Sequence, residues 1–87
     1  METEARQPSD DVIRGEMMAL AHRRGPSATV CPSEVARALS PDWRPLLPRL
    51  RQVAAKLKAE GRLRAYQRGT PVDPLAARGP IRLGLGP

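Results

Sequence analysis

The 87-residue chain has no phenylalanine, a single tryptophan (Trp43), a single tyrosine (Tyr66), one cysteine (Cys31) and one histidine (His22). With so few aromatics, any core must be assembled from Leu, Val, Ile, Met and Ala, and it has to be small. One cysteine excludes an internal disulfide. Cys31 and His22 together fall short of the four ligands of a structural zinc site, so no metal and no cofactor is expected. That cysteine usage suits a reducing cytoplasm, the expected location. No apolar run approaches the ~20 residues of a membrane span, and the N-terminus shows no charged-then-apolar leader pattern. Phosphate-binding loops, dinucleotide fingerprints and paired carboxylates on one element are also missing. His22 and Cys31 fall on different elements, with no general base and orienting group beside them. A binding role is therefore expected rather than an enzyme.

What the chain does have is positive charge, unevenly placed. Its net charge is +6. Residues 1–16 hold five acids (Glu2, Glu4, Asp10, Asp11, Glu16) and two bases (Arg6, Arg14), which leaves thirteen bases against four acids in residues 17–87, a net of +9. Such asymmetry points to a polyanionic partner, nucleic acid first. Lysine is scarce among these bases, and a GC-rich coding bias would produce the same arginine and alanine abundance without selection for binding.

Read in order, residues 1–8 are polar and aperiodic and are expected to form a disordered lead, with one domain over residues 9–87. Ser9 is placed to cap a helix that Asp10 and Asp11 favour through its dipole; Ile13, Met17, Leu20 and Ala21 give it an apolar side, and Gly25-Pro26 ends it. Ser27–Cys31 reads as a short extended segment. Pro32 suits the first position of a second helix, 32–39, whose buried side is Val35, Ala36 and Leu39. Ser40-Pro41-Asp42 is a turn, with Asp42 available to cap a third helix, so the pattern is helix, turn, helix.

That third helix, 43–60, organises the chain. Trp43, Leu46, Leu47, Leu50, Val53, Ala54 and Leu57 recur at steps of three and four, while Arg44, Arg49, Arg51, Gln52, Lys56 and Lys58 occupy the other side. Pro48 inside the pattern predicts an early kink, with a 3₁₀ start over 43–47 as the alternative, and Gly61 supplies the C-terminal cap. Beyond Gly61 the period becomes two: Leu63, Ala65 and Gln67 alternate with Arg64, Tyr66 and Arg68, and Ile81–Leu85 alternates again. Between them the Gly- and Pro-rich segment 68–80 reads as one long wing loop. The Val30 segment is the candidate third strand. These elements predict an α+β winged helix-turn-helix: three helices and a small antiparallel β-hairpin wing.

The residues Cys31-Pro32-Ser33-Glu34-Val35-Ala36-Arg37-Ala38-Leu39, then Trp43-Arg44, then Arg51 with Ala54 and Gly61, and finally Arg78-Gly79-Pro80-Ile81-Arg82-Leu83, resemble a small, mostly bacterial family catalogued as a domain of unknown function. The resemblance covers about residues 12–85 and implies a winged-helix fold. It implies no activity. Arg37, Arg44 and Arg51 are candidates for ion pairs with Glu34 or Asp42 that brace the helix-turn-helix, and because the resemblance keeps these residue types together such pairs are expected of Arg37 and Arg51.

On this fold the expectation is a duplex-DNA-binding protein, with transcriptional regulation as its setting. The third helix would lie in the major groove, with Arg44, Arg49 and Gln52 near base edges and Arg51 and Lys56 nearer phosphates. Arg68 and Arg78 on the wing would reach the adjoining backbone or the minor groove, and Ser33 at the start of the second helix would offer a hydroxyl and amides to a phosphate. The alternative is a protein-interaction module of the same fold, which Tyr66, the proline-rich wing and Pro45 with Pro48 favour. A monomer or weak homodimer is expected. The discriminating property is whether the arginines stand free on one face or are consumed internally.

Overall fold

The computed structural model describes residues 7–86; the disordered lead expected for residues 1–8 falls largely outside them, and Gln7 and Pro8 precede the first helix without regular structure. Helix α1 spans Asp10–Arg24 and opens as the sequence predicts, with the Val12 amide donating to Ser9 Oγ at 3.2 Å. Gly25, at φ +85°, ends it. Helix α2 spans Pro32–Leu39. Its first turn is held by Glu34, whose carboxylate accepts the Cys31 amide at 3.0 Å. The turn after α2 is organised by Ser40 rather than Asp42: Ser40 Oγ accepts the Asp42 amide at 3.1 Å. Asp42 sits one residue too early to cap, because Trp43 itself occupies the N-cap position of the 3₁₀ turn.

Pro48 does not kink the third helix. A 3₁₀ turn over Arg44–Leu46 leads directly into helix α3, Leu47–Ala59, so Pro48 falls in the first turn, where an amide would lack an intrahelical partner anyway. The far end closes on Gly61 at φ +79°, with the Gly61 amide on the Lys58 carbonyl and the Arg62 amide on the Leu57 carbonyl, both at 3.0 Å.

Strand β1 (Leu63–Gln67) turns through Arg68 and Gly69 into a two-residue strand β2 (Thr70–Pro71), and β3 (Arg82–Leu85) pairs on the other side of β1, so the antiparallel sheet has order β2-β1-β3. The third strand is thus β2, not the Val30 segment. Val30 adds one bridge to β3, exchanging bonds of 2.7 and 2.8 Å with Leu83. Segment 68–80 is correspondingly not a single wing loop. It divides into a tight hairpin turn at 68–69 and a separate connection, 72–81, from β2 to β3.

All three helices and the inner face of the sheet meet in one core. Ile13, Met17 and Ala21 enter it from α1, Val35 and Ala36 from α2, Leu46 from the 3₁₀ turn, Leu50, Val53, Ala54 and Leu57 from α3, and Leu63, Ala65, Ile81 and Leu83 from the sheet side. No polar or charged side chain is buried with them among the described residues. The core is therefore apolar throughout, each fully buried Leu or Ile contributing about 1.5–3 kcal/mol, and every charge is left for the surface.

Candidate functional site

The stripe of α3 that faces away from the core runs through Pro48, Gln52, Ala55, Lys56 and Ala59, with Arg44 and Pro45 ahead of it. Gln52, Lys56 and Arg44 are exposed, as expected. Arg44 is not free to swing, however. Its guanidinium lies 4.4 Å from the centroid of the half-buried Trp43 ring, and that of Arg37, from α2, lies 4.7 Å from the same ring. Arg37 and Arg44 therefore brace the helix-turn-helix through an aromatic face, not through Glu34 or Asp42 as expected.

Two of the expected contact residues have other partners. Arg49 donates to Asp10 at 2.7 Å and to the Gln7 side chain at 3.3 Å, tying the front of α3 to the start of α1. The Arg49 hydrogen bond holds the Asp10 carboxyl below the usual carboxylate range. Arg51 faces the other flank. Its guanidinium donates to the carbonyls of Ala77 at 2.6 Å and Pro74 at 3.3 Å, and also to that of Gly79. A planar fork with five donors suits three converging carbonyls better than any lysine could. Arg51 is thus a clamp on the 72–81 connection, neither paired with an acid nor directed at a phosphate.

That clamp determines where the wing arginines stand. Arg51 holds the connection against α3, and the Gln67 side chain donates to the Arg78 and Pro80 carbonyls at 2.5 and 3.2 Å, holding the same connection against the hairpin. Arg78 is exposed between the two anchors. Arg68 is exposed in the hairpin turn at φ +52°, a left-handed conformation costing about 1 kcal/mol for a side chain of this kind. Arg82 joins this group from β3, with its Nε on Thr29 Oγ1 at 3.0 Å; periodicity placed it outward but gave it no role. Ser33 lies apart. It is half-buried on α2, its hydroxyl 3.1 Å from Cys31 Sγ, in a small recess shared with Arg51 and Pro80.

Part of the surface charge is neutralised in ion pairs. Carboxylates on α1, at the start of α2 and at the end of α3 pair with neighbouring arginines: Glu16 with Arg23, Glu34 with Arg24, Glu60 with Arg14 and Arg62, and Asp10 with Arg49. The Glu34 carboxyl is held low by Arg24 and then by the Cys31 amide, and that of Glu60 by Arg14. Among the described residues, and besides the clamped Arg51, no ion pair is made by Arg37, Arg44, Lys56, Lys58, Arg64, Arg68, Arg78 or Arg82. All eight belong to α2, the 3₁₀ turn, α3 and the sheet with its connections. Among the described residues no three of His, Cys, Asp and Glu come together to hold a metal ion, and no helix is long and apolar enough to cross a membrane.

The chain has a counterpart among known protein families. A family model described as protein of unknown function (DUF3253) matches residues 10–86, nearly the whole chain. The chain belongs to that family. No curated protein shows significant similarity to it. Within the DUF3253 fold seen here, the residues that carry the resemblance serve architecture: Glu34 holds the α1–α2 junction, Trp43 takes the two guanidinium groups, and Arg51 closes on the segment containing Arg78-Gly79-Pro80.

Proposed function

We infer that the chain binds duplex DNA, with the solvent stripe of α3 in the major groove and the hairpin and 72–81 connection on the flanking backbone. The observation that carries this reading is an excess of unpaired cations. On the helix-turn-helix, α3 and the wing, Arg37, Arg44, Lys56, Arg68 and Arg78 have no acid partner among the described residues, against the unpaired carboxylates of Asp42 and Asp73. Gln52 is the base-edge candidate on α3, Lys56 and, at its front, Arg44 reach toward phosphates, and Arg68 and Arg78 are the backbone contacts of the wing. Arg51 has no part in this surface, and Arg49 takes part only by leaving Asp10. Ser33 contributes at most its hydroxyl. The reading includes no catalysis and no cofactor, and it is compatible with a regulator working as a monomer or weak dimer in the cytoplasm of a bacterium.

The test is fluorescence anisotropy of labelled random-sequence duplex across a salt series. Micromolar affinity that falls steeply with salt is expected, and replacing both Arg44 and Lys56 by Ala should flatten the slope of log affinity against log salt by about two units. An unaltered slope in a folded double variant removes α3 from the interface.

One observation favours a second reading, a protein-interaction module. The middle of the α3 stripe, Pro48, Gln52, Ala55 and Ala59, is neutral, and two of the arginines beside it are occupied internally. Lack of duplex binding at low salt would select this reading.

A further inference from the structure

The outer face of the sheet carries two open clefts that meet at Arg82. One, of about 590 Å³, is lined by Gln67, Arg68, Arg78, Gly79, Pro80 and Arg82. The other, of about 350 Å³, lies between the Pro26–Thr29 segment and Tyr66, with Arg82 and Gly84 also in its lining. Together they form a continuous surface whose two halves differ in chemistry.

The first half is built for an anion. Three arginines line it and no carboxylate does, which gives the cleft a positive field. Their positions are fixed by the backbone and by hydrogen bonds. Arg68 is kept in a hairpin turn at φ +52°, where Asn or Gly would be less strained. Gln67 pins the Arg78 and Pro80 carbonyls to the hairpin. Arg82 donates from Nε and from Nη2 to Thr29, at 3.0 and 3.2 Å, which sets the plane of its guanidinium and leaves Nη1 with no hydrogen bond among the described residues. A planar fork held in the way that of Arg82 is held matches phosphate oxygens, and the backbone places Arg68 and Arg78 beside it.

The second half is built for a flat apolar group. Tyr66 is directly opposite Arg82 in the β1–β3 register and is half-buried. Its ring reaches over Gly84, whose missing side chain leaves the cleft open: a Cβ there would stand 3.6 Å from Tyr66 Cε2. Pro26, Ala28 and Thr29 form the facing wall, so their backbone groups border the space an aromatic base would fill. A ring beside a basic groove is the arrangement that takes up a single nucleotide.

We propose that this face binds one nucleoside phosphate unit, its phosphate among Arg68, Arg78 and Arg82 and its base beside Tyr66. The unit is the same whether it is a free mononucleotide or one residue of a single strand. This site shares Arg68 and Arg78 with the duplex surface but uses nothing of α3, so the two can fail separately.

The composition supplies the assay. With one Trp, one Tyr and no Phe, the NMR signals of Trp43 report the entry to α3 and those of Tyr66 report the sheet, without overlap from other rings of their kind. The full chain is titrated with adenosine monophosphate, inorganic phosphate, a short single-stranded oligodeoxyadenylate and a duplex. Saturable shifts of the Tyr66 ring and of the Arg68, Arg78 and Arg82 side-chain signals with adenosine monophosphate, with the Trp43 indole unmoved, support the site as one for a free nucleotide. The same shifts with the oligonucleotide alone support it as a site for a single strand. Inorganic phosphate moving the arginine signals as far as adenosine monophosphate does, with the Tyr66 ring still, overturns the proposal, as does no shift with any probe. Arg68→Asn suits the left-handed turn and should weaken the nucleotide by about tenfold while the fold is kept; unchanged affinity also overturns it. Gln52→Ala should leave nucleotide binding intact. If the duplex moves no α3 signal while the nucleotide moves Tyr66, the groove reading fails and this one stands.

Discussion

Arg51→Ala separates a structural clamp from a ligand contact. In the structure one guanidinium satisfies the carbonyls of Pro74, Ala77 and Gly79. A hydrogen bond from a charged donor contributes about 1.5–3 kcal/mol when water cannot replace it. Gly79 is exposed, so water recovers most of that bond, whereas the Pro74 bond is weak at 3.3 Å but goes to a buried residue whose carbonyl water does not readily reach. The Ala77 bond, at 2.6 Å to a half-buried residue, is lost outright, as is the packing of the arginine stem. The expected destabilisation is therefore about 2–3 kcal/mol. Urea unfolding should register it as a lower midpoint with an unchanged slope, and hydrogen exchange should quicken first in residues 72–81. Arg51→Lys should recover less than half, because an ammonium on a flexible stem cannot span three carbonyls. A variant as stable as the wild type but weaker on DNA would refute the argument and return Arg51 to the binding surface.

Asp10→Asn removes the anion that competes for Arg49. The pair is exposed, with side chains 29% and 57% accessible for Arg49 and Asp10, so stability should barely change, while duplex affinity at low salt should rise by about 2- to 5-fold in the anisotropy assay. Leu50 is wholly buried, and Leu50→Ala should cost about 2–5 kcal/mol in urea unfolding by opening a core cavity. Glu34 has its folded pKa depressed by Arg24 and the Cys31 amide; its stabilisation is present above the unfolded carboxylate pKa and is lost as pH falls through the lower folded value. Glu34→Gln should accordingly flatten the acid limb of the pH–stability curve, and an unchanged limb would show that the α1–α2 junction contributes nothing.

Much of the fold is legible in the sequence because local chemistry decides it. Ser9, Gly25, Pro32 and Gly61 punctuate the helices through capping and backbone preferences that act within a few residues. The apolar steps of α3 and the alternation of β1 and β3 identify what faces the core. Pro48 misleads because a proline in a first turn and one in a helix interior look alike until the 3₁₀ start is known. The short β2 is hidden because a two-residue strand has no period.

The candidate site is less legible, for a reason particular to arginine. Sequence alone places Arg44, Arg49, Arg51 and Lys56 off the core stripe of one helix, by the 3.6-residue repeat. Which of them remain available depends on neighbours far along the chain: Asp10 for Arg49, and the carbonyls of Pro74, Ala77 and Gly79 for Arg51. The meeting of Arg68, Arg78 and Arg82 around one cleft likewise depends on a hairpin, a connection and a strand brought together. The sequence by itself determined the elements, their caps and the apolar faces, because these are governed by contacts a turn or a strand pair away. Tertiary structure alone decided which cations are consumed and which converge, because a guanidinium takes whichever acceptors the fold brings within its reach.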